Sequence, residues 1–386
     1  MNSTKIRMGM IGGGKNAFIG AVHRMAAGMD GHIELCCGAL STNPHIARES
    51  GELLYLPQDR IYTSYQEMIA RESQLPADKR IHFVSIVTPN YAHFEPAMMA
   101  LDYGFHVVLE KPMTLTLEQA QQLRLKVAET GLLLCLTHTY SAYPMVKQAR
   151  QLVKEHKLGQ IRKIMVEYPQ GWLSTMIETD IALAAWRTDP EKSGKSGCMG
   201  DIGTHAAHLA EYISGLKIQK ICADLHTFVE GRRLEDDGNI LLRFDNGASG
   251  VLSASQVAAG EENALKIRIY GEKAGLEWNQ QEPNTLLLKW LDAPAQIFRT
   301  GQSYLYPVAK HNTRLPAGHP EGYIEAFANI YNNFAHTILA AVNGTTASED
   351  ELDFPTAEDG VRGMQFIETV IASAQSDQKW TDFQQH

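Results

Sequence analysis

Lys111, Asp201 and His205 are the side chains in this sequence whose types and settings are best suited to chemistry. Lys111 ends the mostly apolar run Phe105-His106-Val107-Val108-Leu109-Glu110-Lys111-Pro112. A cation held in one direction stabilises an oxygen that becomes negative, and Pro112 pushes Lys111 toward an extended backbone that fixes its direction. Asp201, His205 and His208 fall at spacings of four and three, so on a helix they share a face. A carboxylate one turn before a histidine orients the imidazole and raises its basicity, as an acid/base group requires. A third group, Gly12-Gly13-Gly14-Lys15-Asn16-Ala17, has the form G-x-G-x-x-A. There Gly12 permits a tight turn, Gly14 lets a pyrophosphate approach the backbone, and Ala17 keeps a helix close to a sheet. Each group alone has a plainer reading: a surface Glu-Lys pair, an i,i+4 pair or a core histidine bonded to its acid, and an ordinary glycine turn. Their company in one chain favours chemistry.

The elements that must position them are legible. Residues 6–11 read as a strand before the glycine turn, and Phe18, Ile19, Val22, Met25 and Ala26 give the following helix an apolar face. Strands are expected at 33–40, 81–87, 105–109 and 132–136. Between them lie helices punctuated by Gly104 and Gly131, one of which opens with the capping pair Thr116 and Gln119. Alternation of this kind predicts a doubly wound parallel α/β sheet. Lys111 then emerges at a strand's carboxyl end, where such sheets hold ligands.

After Thr137 the pattern changes. Strands are expected near 161–168, 218–229, 239–244, 248–255 and 265–270, and Asp245-Asn246-Gly247 reads as a hairpin. That predicts an α+β domain with a large, mostly antiparallel open sheet. We therefore expect a dinucleotide-binding domain over 1–137 and a substrate-binding and oligomerisation domain over 138–386. A closing helix over 357–374 is expected to pack back on the first domain. His319-Pro320-Glu321 reads as the start of a helix carrying Phe327, Ile330, Tyr331, Phe334 and Ile338.

Composition narrows the class. A chain of 386 residues suits two domains, and a formal charge of −9 argues against nucleic acid or an anionic membrane as partner. Nothing approaches a membrane span, residues 1–5 lead into a strand without a signal-peptide core, and the five cysteines show no zinc spacing. The expected setting is a reducing cytoplasm. No metal is expected, since Asp201, His205 and His208 lack a clear fourth ligand.

At the tip of the second strand, Ser41 and Thr42 stand where an NAD site usually places an acid. They can bond ribose hydroxyls, and no arginine beside them favours a phosphate, so the reading is NAD with NADP left open. Thr88-Pro89-Asn90 follows the third expected strand. His93 is either an ordinary histidine of a first helical turn or a residue lining the site.

The glycine turn, Thr88-Pro89-Asn90 with His93, and Glu110-Lys111-Pro112 together resemble the Gfo/Idh/MocA oxidoreductase family. So does Trp186-Arg187 followed by a glycine-rich loop and Asp201-x-Gly203-x-His205. The family loop is often three consecutive glycines, whereas here it is Gly197-Cys198-Met199-Gly200, which leaves its shape open. The resemblance implies a cofactor contact set that adds Lys15, Asn16, Glu110, His138, Trp186 and Arg187 to the residues above. It implies His205 as general base, Lys111 at the substrate hydroxyl and nicotinamide, and Asp201 contacting substrate or histidine. The substrate implied is a secondary alcohol of a pyranose, an anhydrosugar such as levoglucosan, or an inositol, with Tyr140, Trp172, His319 and Tyr323 as aromatic lining. A redox-neutral NAD-dependent glycosidase would use the same residues. A catalytically silent cofactor-binding regulator would leave Lys111, Asp201 and His205 without a purpose. Family members often pair through the second sheet, so a homodimer or homotetramer is expected.

Overall fold

The computed structural model describes residues 5–15, 17–178 and 182–383, the side chains of 182–184 excepted. The expectation for Asn16 lies outside the described residues. The first stretch runs β1 (Ile6–Gly12), α1 (Phe18–Gly28), β2 (Ile33–Ala39), α2 (Pro44–Leu53), α3 (Tyr65–Ser73), β3 (Phe83–Val87), α4 (Phe94–Asp102), β4 (His106–Leu109), α5 (Leu117–Thr130) and β5 (Leu134–Leu136). It continues α6 (Pro144–Lys154), β6 (Ile161–Pro169), α7 (Ala182–Arg187), α8 (Pro190–Ser193), a π-helical segment (Met199–Gly203), α9 (Thr204–Ser214), β7 (Ile218–His226), β8 (Asp237–Phe244), β9 (Ser249–Ser255) and β10 (Lys266–Gly271). The last elements are β11 (Ala274–Asn279), β12 (Thr285–Trp290), β13 (Gln296–Arg299), α10 (Pro307–His311), α11 (Tyr323–Val342), α12 (Ala357–Ala374) and β14 (Thr381–Asp382). Two compact units result, each drawn from two stretches of chain. One is the chain up to Thr137 with Tyr323–Val361; the other is His138–Gly322 with the chain from Arg362 on.

The first unit is built on a parallel sheet in the order β2-β1-β3-β4-β5. Every residue of β3 is buried, and every residue of β4 but His106. Burial on both faces is why these strands read as unbroken apolar runs. The winding reverses between β1 and β3. Their carboxyl ends, with that of β4, bring the glycine turn, Thr88 and Lys111 to one edge of the sheet. Beyond β2, a single parallel bridge of Ile61 to Gly38 stands where a full dinucleotide-binding sheet carries one more strand.

The buried face of α1 differs from the expected one. Phe18 and Met25 are exposed, and Gly20 and His23 join Val22 and Ala26 in the interior. A Cβ on Gly20 would lie 2.3 Å from the Gly13 Cα, so Gly20, not Ala17, makes the closest helix–strand approach. Counting apolar residues cannot detect a contact made by a missing side chain. The helix is rotated so that Gly20 meets β1's turn and α11 packs along its other flank.

The second unit carries nine strands among the described residues, ordered β13-β12-β11-β10-β6-β9-β8-β7-β14. All neighbours are antiparallel except β6 and β9. The sheet is as expected in kind, with β11, β12, β13 and β14 in addition. Asp245-Asn246-Gly247 turns β8 into β9, with Gly247 at φ +86°. Helices α6 and α9 pack on each other and on one sheet face, while Asn239, Leu241 and Arg243 of β8 point to the other, exposed side. No helix among the described residues is long and apolar enough to cross a membrane.

The helix expected to open at His319-Pro320-Glu321 opens at Tyr323. Glu321 instead closes the preceding loop, its buried Oε1 accepting the amides of Arg314 (2.6 Å) and Leu315 (2.7 Å).

Candidate active site

In the first unit the glycine turn needs its glycines. Gly12 and Gly13 hold φ of +80° and +73°, where a side chain is strained. A Cβ on Gly14 would meet the Leu40 oxygen at 2.8 Å and Ser50 Oγ at 3.0 Å. The Gly14 amide donates to Leu40 O and the Lys15 amide to Ser50 Oγ, both at 3.1 Å, and Lys15 Nζ pairs with Glu49. At the β2 tip Ser41 Oγ accepts the Asn43 amide (3.1 Å), which leaves its own O–H to donate, and Thr42 is exposed. Bare backbone at 12–14, a helix start behind it and two hydroxyls with no arginine among residues 41–46 fit a dinucleotide with an unmodified ribose.

Lys111 follows β4 and is half-buried, and its peptide bond to Pro112 is cis. Behind it lies a buried polar chain. Glu110 Oε1 accepts from His23 Nε2 (2.9 Å) and Thr137 Oγ1 (2.5 Å). On its other side His23 Nδ1 lies 2.6 Å from the Tyr331 hydroxyl, which lies 2.8 Å from Ser85 Oγ. With the His23 proton on Nε2, Ser85 donates to Tyr331, Tyr331 to His23, and His23 to Glu110, so no donor is wasted. Burial by itself raises the Glu110 carboxyl. The hydrogen bond from His23, the charge of Lys111 and the Thr137 hydroxyl outweigh it and hold the group at about 2. Glu110 is therefore a fixed anion beside Lys111.

His93 is fully buried at the start of α4. Its Nδ1 faces the Pro112 oxygen (3.0 Å) and its Nε2 the Thr88 oxygen (2.8 Å), so one ring ties the turn after β4 to the loop after β3. Burial pushes its pKa down, against the Thr88 oxygen, the Glu110 charge and the Pro112 oxygen, which favour the charged ring.

In the second unit the segment whose shape was open is a π-helical turn. Spacing alone predicts one continuous α-helix through Asp201 and His205. The turn forms because Glu235 and Ser196 take up its leading amides: Met199 N donates to Glu235 Oε1 (3.0 Å) and Gly200 N to Ser196 Oγ (2.8 Å). Ser196 Oγ in turn donates to Glu235 (2.5 Å). Gly197 is required because a Cβ would lie 2.5 Å from the Glu235 oxygen.

Asp201 projects from this turn, and its carboxylate accepts from Arg187 and from Gln256 Nε2 (2.9 Å). Arg187 also lies over the Trp186 ring at 4.9 Å. His205, buried in the first turn of α9, has its Nδ1 3.4 Å from Nδ1 of His138. The Tyr140 ring stands edge-on to His205 at 4.9 Å. Its hydroxyl closes a cycle: Tyr140 donates to Tyr168 (2.5 Å), Tyr168 to Asn263 Oδ1 (2.7 Å), and Asn263 Nδ2 back to Tyr140 (3.1 Å). Trp172 joins through Gln170, which donates to Asn263.

The second unit thus gathers Asp201, Arg187 and Trp186 in one group, and His138, His205, Tyr140 and Trp172 in a connected set. His319 is exposed in a turn, its Nδ1 bonded to Pro316 O, and Tyr323 starts α11 against Phe327 in the first unit. Sequence reasoning missed His23, Tyr331, Gln256, Glu235 and Asn263. None sits in a motif, and each earns its place through a contact far away in the chain.

Comparison with known proteins identifies the family. Residues 6–138 match the NAD-binding Rossmann domain of the Gfo/Idh/MocA oxidoreductase family, and residues 146–277 match the family's C-terminal domain. An oxidoreductase structure from Sinorhizobium meliloti is 41% identical, with a TM-score of 0.88 over 98% of this chain and 99% of that one. An inositol dehydrogenase homolog from Azotobacter vinelandii, solved with NAD+, is 34% identical with a TM-score of 0.93 over 99% and 100%. Solved with NADH and myo-inositol, the same homolog has a TM-score of 0.91 over 98% of each chain at 34% identity. Levoglucosan dehydrogenase from Pseudarthrobacter phenanthrenivorans is 26% identical over 98% of both chains. With both family domains matched in order, and whole-length relatives above 30% identity, the chain belongs to the Gfo/Idh/MocA oxidoreductases.

Proposed function

We propose that the protein is an NAD-dependent dehydrogenase that oxidises a secondary alcohol of a pyranose, an anhydrosugar or an inositol. In this reading residues 1–137 carry the coenzyme and residues 138–386 the substrate face. NAD, when bound, supplies the hydride acceptor. Its phosphates rest on the bare backbone at 12–14, and Ser41 and Thr42 serve the ribose hydroxyls. Thr88, Pro89 and Asn90 line the coenzyme site, their loop held by His93. Lys111 stabilises the oxygen as it becomes an alkoxide, with Glu110 fixed behind it. His205 takes the hydroxyl proton as general base. Asp201, held by Arg187 and Gln256, orients a substrate hydroxyl. Trp172 offers an aromatic face to a ring's C–H surface.

The observation that carries this reading is the state of the Asp201 and His205 pair. Both are immobilised by residues from other elements, as a site that must place one hydroxyl requires. The test is absorbance at the reduced-nicotinamide band while pyranoses, anhydrosugars and inositols are offered with NAD and with NADP. A rise with one polyol and NAD supports the reading. Release of reducing sugar from a glycoside, with no net rise, replaces it with the redox-neutral glycosidase. No turnover of any kind, together with tight NAD binding, leaves the silent regulator.

A further inference from the structure

A dinucleotide site that takes NAD usually carries an acid at the tip of β2, which bonds the ribose hydroxyls and repels a phosphate on the 2′ oxygen. Here the tip is Ser41 and Thr42, which carry no charge. A hydroxyl can donate to a phosphate as readily as to another hydroxyl, so the tip alone does not select. The charges lie beside it, between the glycine turn and α2.

Two backbone contacts bring these parts together. The Gly14 amide donates to the oxygen of Leu40, just past β2, and the Lys15 amide donates to Ser50 Oγ on α2. The turn therefore lies against the chain on either side of Ser41 and Thr42. Lys15 is the one cation in the stretch Gly12-Gly13-Gly14-Lys15-Asn16-Ala17, and its ammonium is paired with Glu49 of α2. His45, one turn earlier on α2, sets its Nδ1 3.8 Å from the second Glu49 oxygen. Arg48 is exposed and about 100° round the helix from Glu49. The amino end of α2 is already served, since Asn43 Oδ1 accepts the amides of His45 (3.0 Å) and Ile46 (3.3 Å). The side chains of Lys15 and Glu49 are 33% and 39% exposed. Such a pair adds little to stability. Its consequence is electrostatic, because it cancels the positive charge of the turn.

We propose that Glu49 is the residue that discriminates against NADP. It withholds Lys15 from a 2′-phosphate and sets a carboxylate beside the tip of β2. The inference deepens the coenzyme part of the proposed function and rests on the dinucleotide reading of the first unit. A ribose with free hydroxyls loses nothing, since Ser41 and Thr42 serve it without charge. A phosphate monoester carries a charge of about −1.5 to −2 at neutral pH, and it must either face Glu49 or break the pair. Removing the carboxylate alone reverses the sign of this corner, because Lys15 is then released to take the phosphate.

The experiment is calorimetric titration of the full chain with NAD and with NADP, and it needs no substrate. Its readout is the ratio of the two affinities, which should favour NAD in the unsubstituted chain. Glu49→Gln should raise the NADP-to-NAD affinity ratio about threefold to thirtyfold. Glu49→Ala, which suits an exposed helix position, should shift the ratio the same way if the glutamine variant folds poorly. The gain should fade as salt is raised from about 0.05 M to about 0.5 M, because an exposed attraction between a cation and a phosphate is screened. Lys15→Gln on the Glu49→Gln background should remove it. Three results would overturn the proposal while leaving the dinucleotide reading intact: a preference of the unsubstituted chain for NADP, a ratio that neither Glu49 variant moves, or a gain that survives in full both salt and the loss of Lys15. Binding of neither coenzyme by the unsubstituted chain would overturn that reading, and the proposal with it.

Discussion

His23 and His205 are both buried histidines in polar company, yet their surroundings differ in kind. Around His23, Ser85, Tyr331, Thr137 and Glu110 are all interior, and the hydrogen-bond chain ends on a carboxylate held at about 2. Beside His205 stand the His138 imidazole and the Tyr140 ring, and His138 in turn stacks on the half-buried His208. The first arrangement locks a charge in place, because every alternative protonation strands a buried group. The second is built from imidazoles, each able both to donate and to accept a proton. The proposed dehydrogenase reading uses both, a fixed field at Glu110 and a base at His205.

The largest effect should come from breaking the imidazole side. His205→Asn is expected to lower kcat/KM by about a hundredfold to ten-thousandfold, with a much smaller change in the urea unfolding midpoint. Comparable losses in both would mean that His205 is chiefly structural. Breaking the locked side should do the reverse. Glu110→Ala removes the acceptor of two buried donors and should cost about 3–5 kcal/mol in urea unfolding at pH 7.

The locked side also carries a pH signature. The Glu110 pKa is depressed from 4.5 to about 2, so its contribution is present above pH 4.5 and is lost as pH falls toward 2. The stability gap between the unsubstituted protein and Glu110→Gln should therefore shrink by about 2–3 kcal/mol across that window. A gap that stays constant would show that Glu110 is not a fixed anion. Gly20→Ala should cost about 1–3 kcal/mol by pushing α1 off the turn, and should weaken NAD binding measured by calorimetry. Tyr140→Phe opens the cycle with Tyr168 and Asn263. It should cost about 1 kcal/mol and change KM for the polyol more than KM for NAD.

Motif-bearing parts of this molecule were legible because local chemistry dictates them. The glycine turn, the apolar run before Lys111 and the Asp245-Asn246-Gly247 hairpin each need particular residues at adjacent positions, and adjacency is what a sequence displays. The rest was hidden by distance. His23 on α1 reads as a break in an apolar face until Tyr331, three hundred positions later, is seen to bond it. The π-turn at Asp201 depends on Glu235, which lies in an unremarkable loop before β8. Strand β12 alternates in burial, with Leu286 and Leu288 inward, but β11 to β13 are short and carry no chemical motif.

Neither unit is a continuous piece of chain, and this sets the order in which a growing polypeptide becomes able to fold. The parallel sheet is complete in sequence by residue 136, but α11, which covers His23 and packs on α1, is made only after residues 138–322. Strand β6 is central in its sheet, but its neighbours β9 and β10 lie at 249–255 and 266–271. A chain synthesised at about 5–20 residues per second therefore displays an unfinished α1 face and an unpaired β6 for many seconds. Both units reach closure in the same late interval, as residues 323–383 emerge, so cutting the gene after Thr137 should yield a first piece that lacks α11 and with it part of its own interior, and a second that holds all of its own unit with α11 left over.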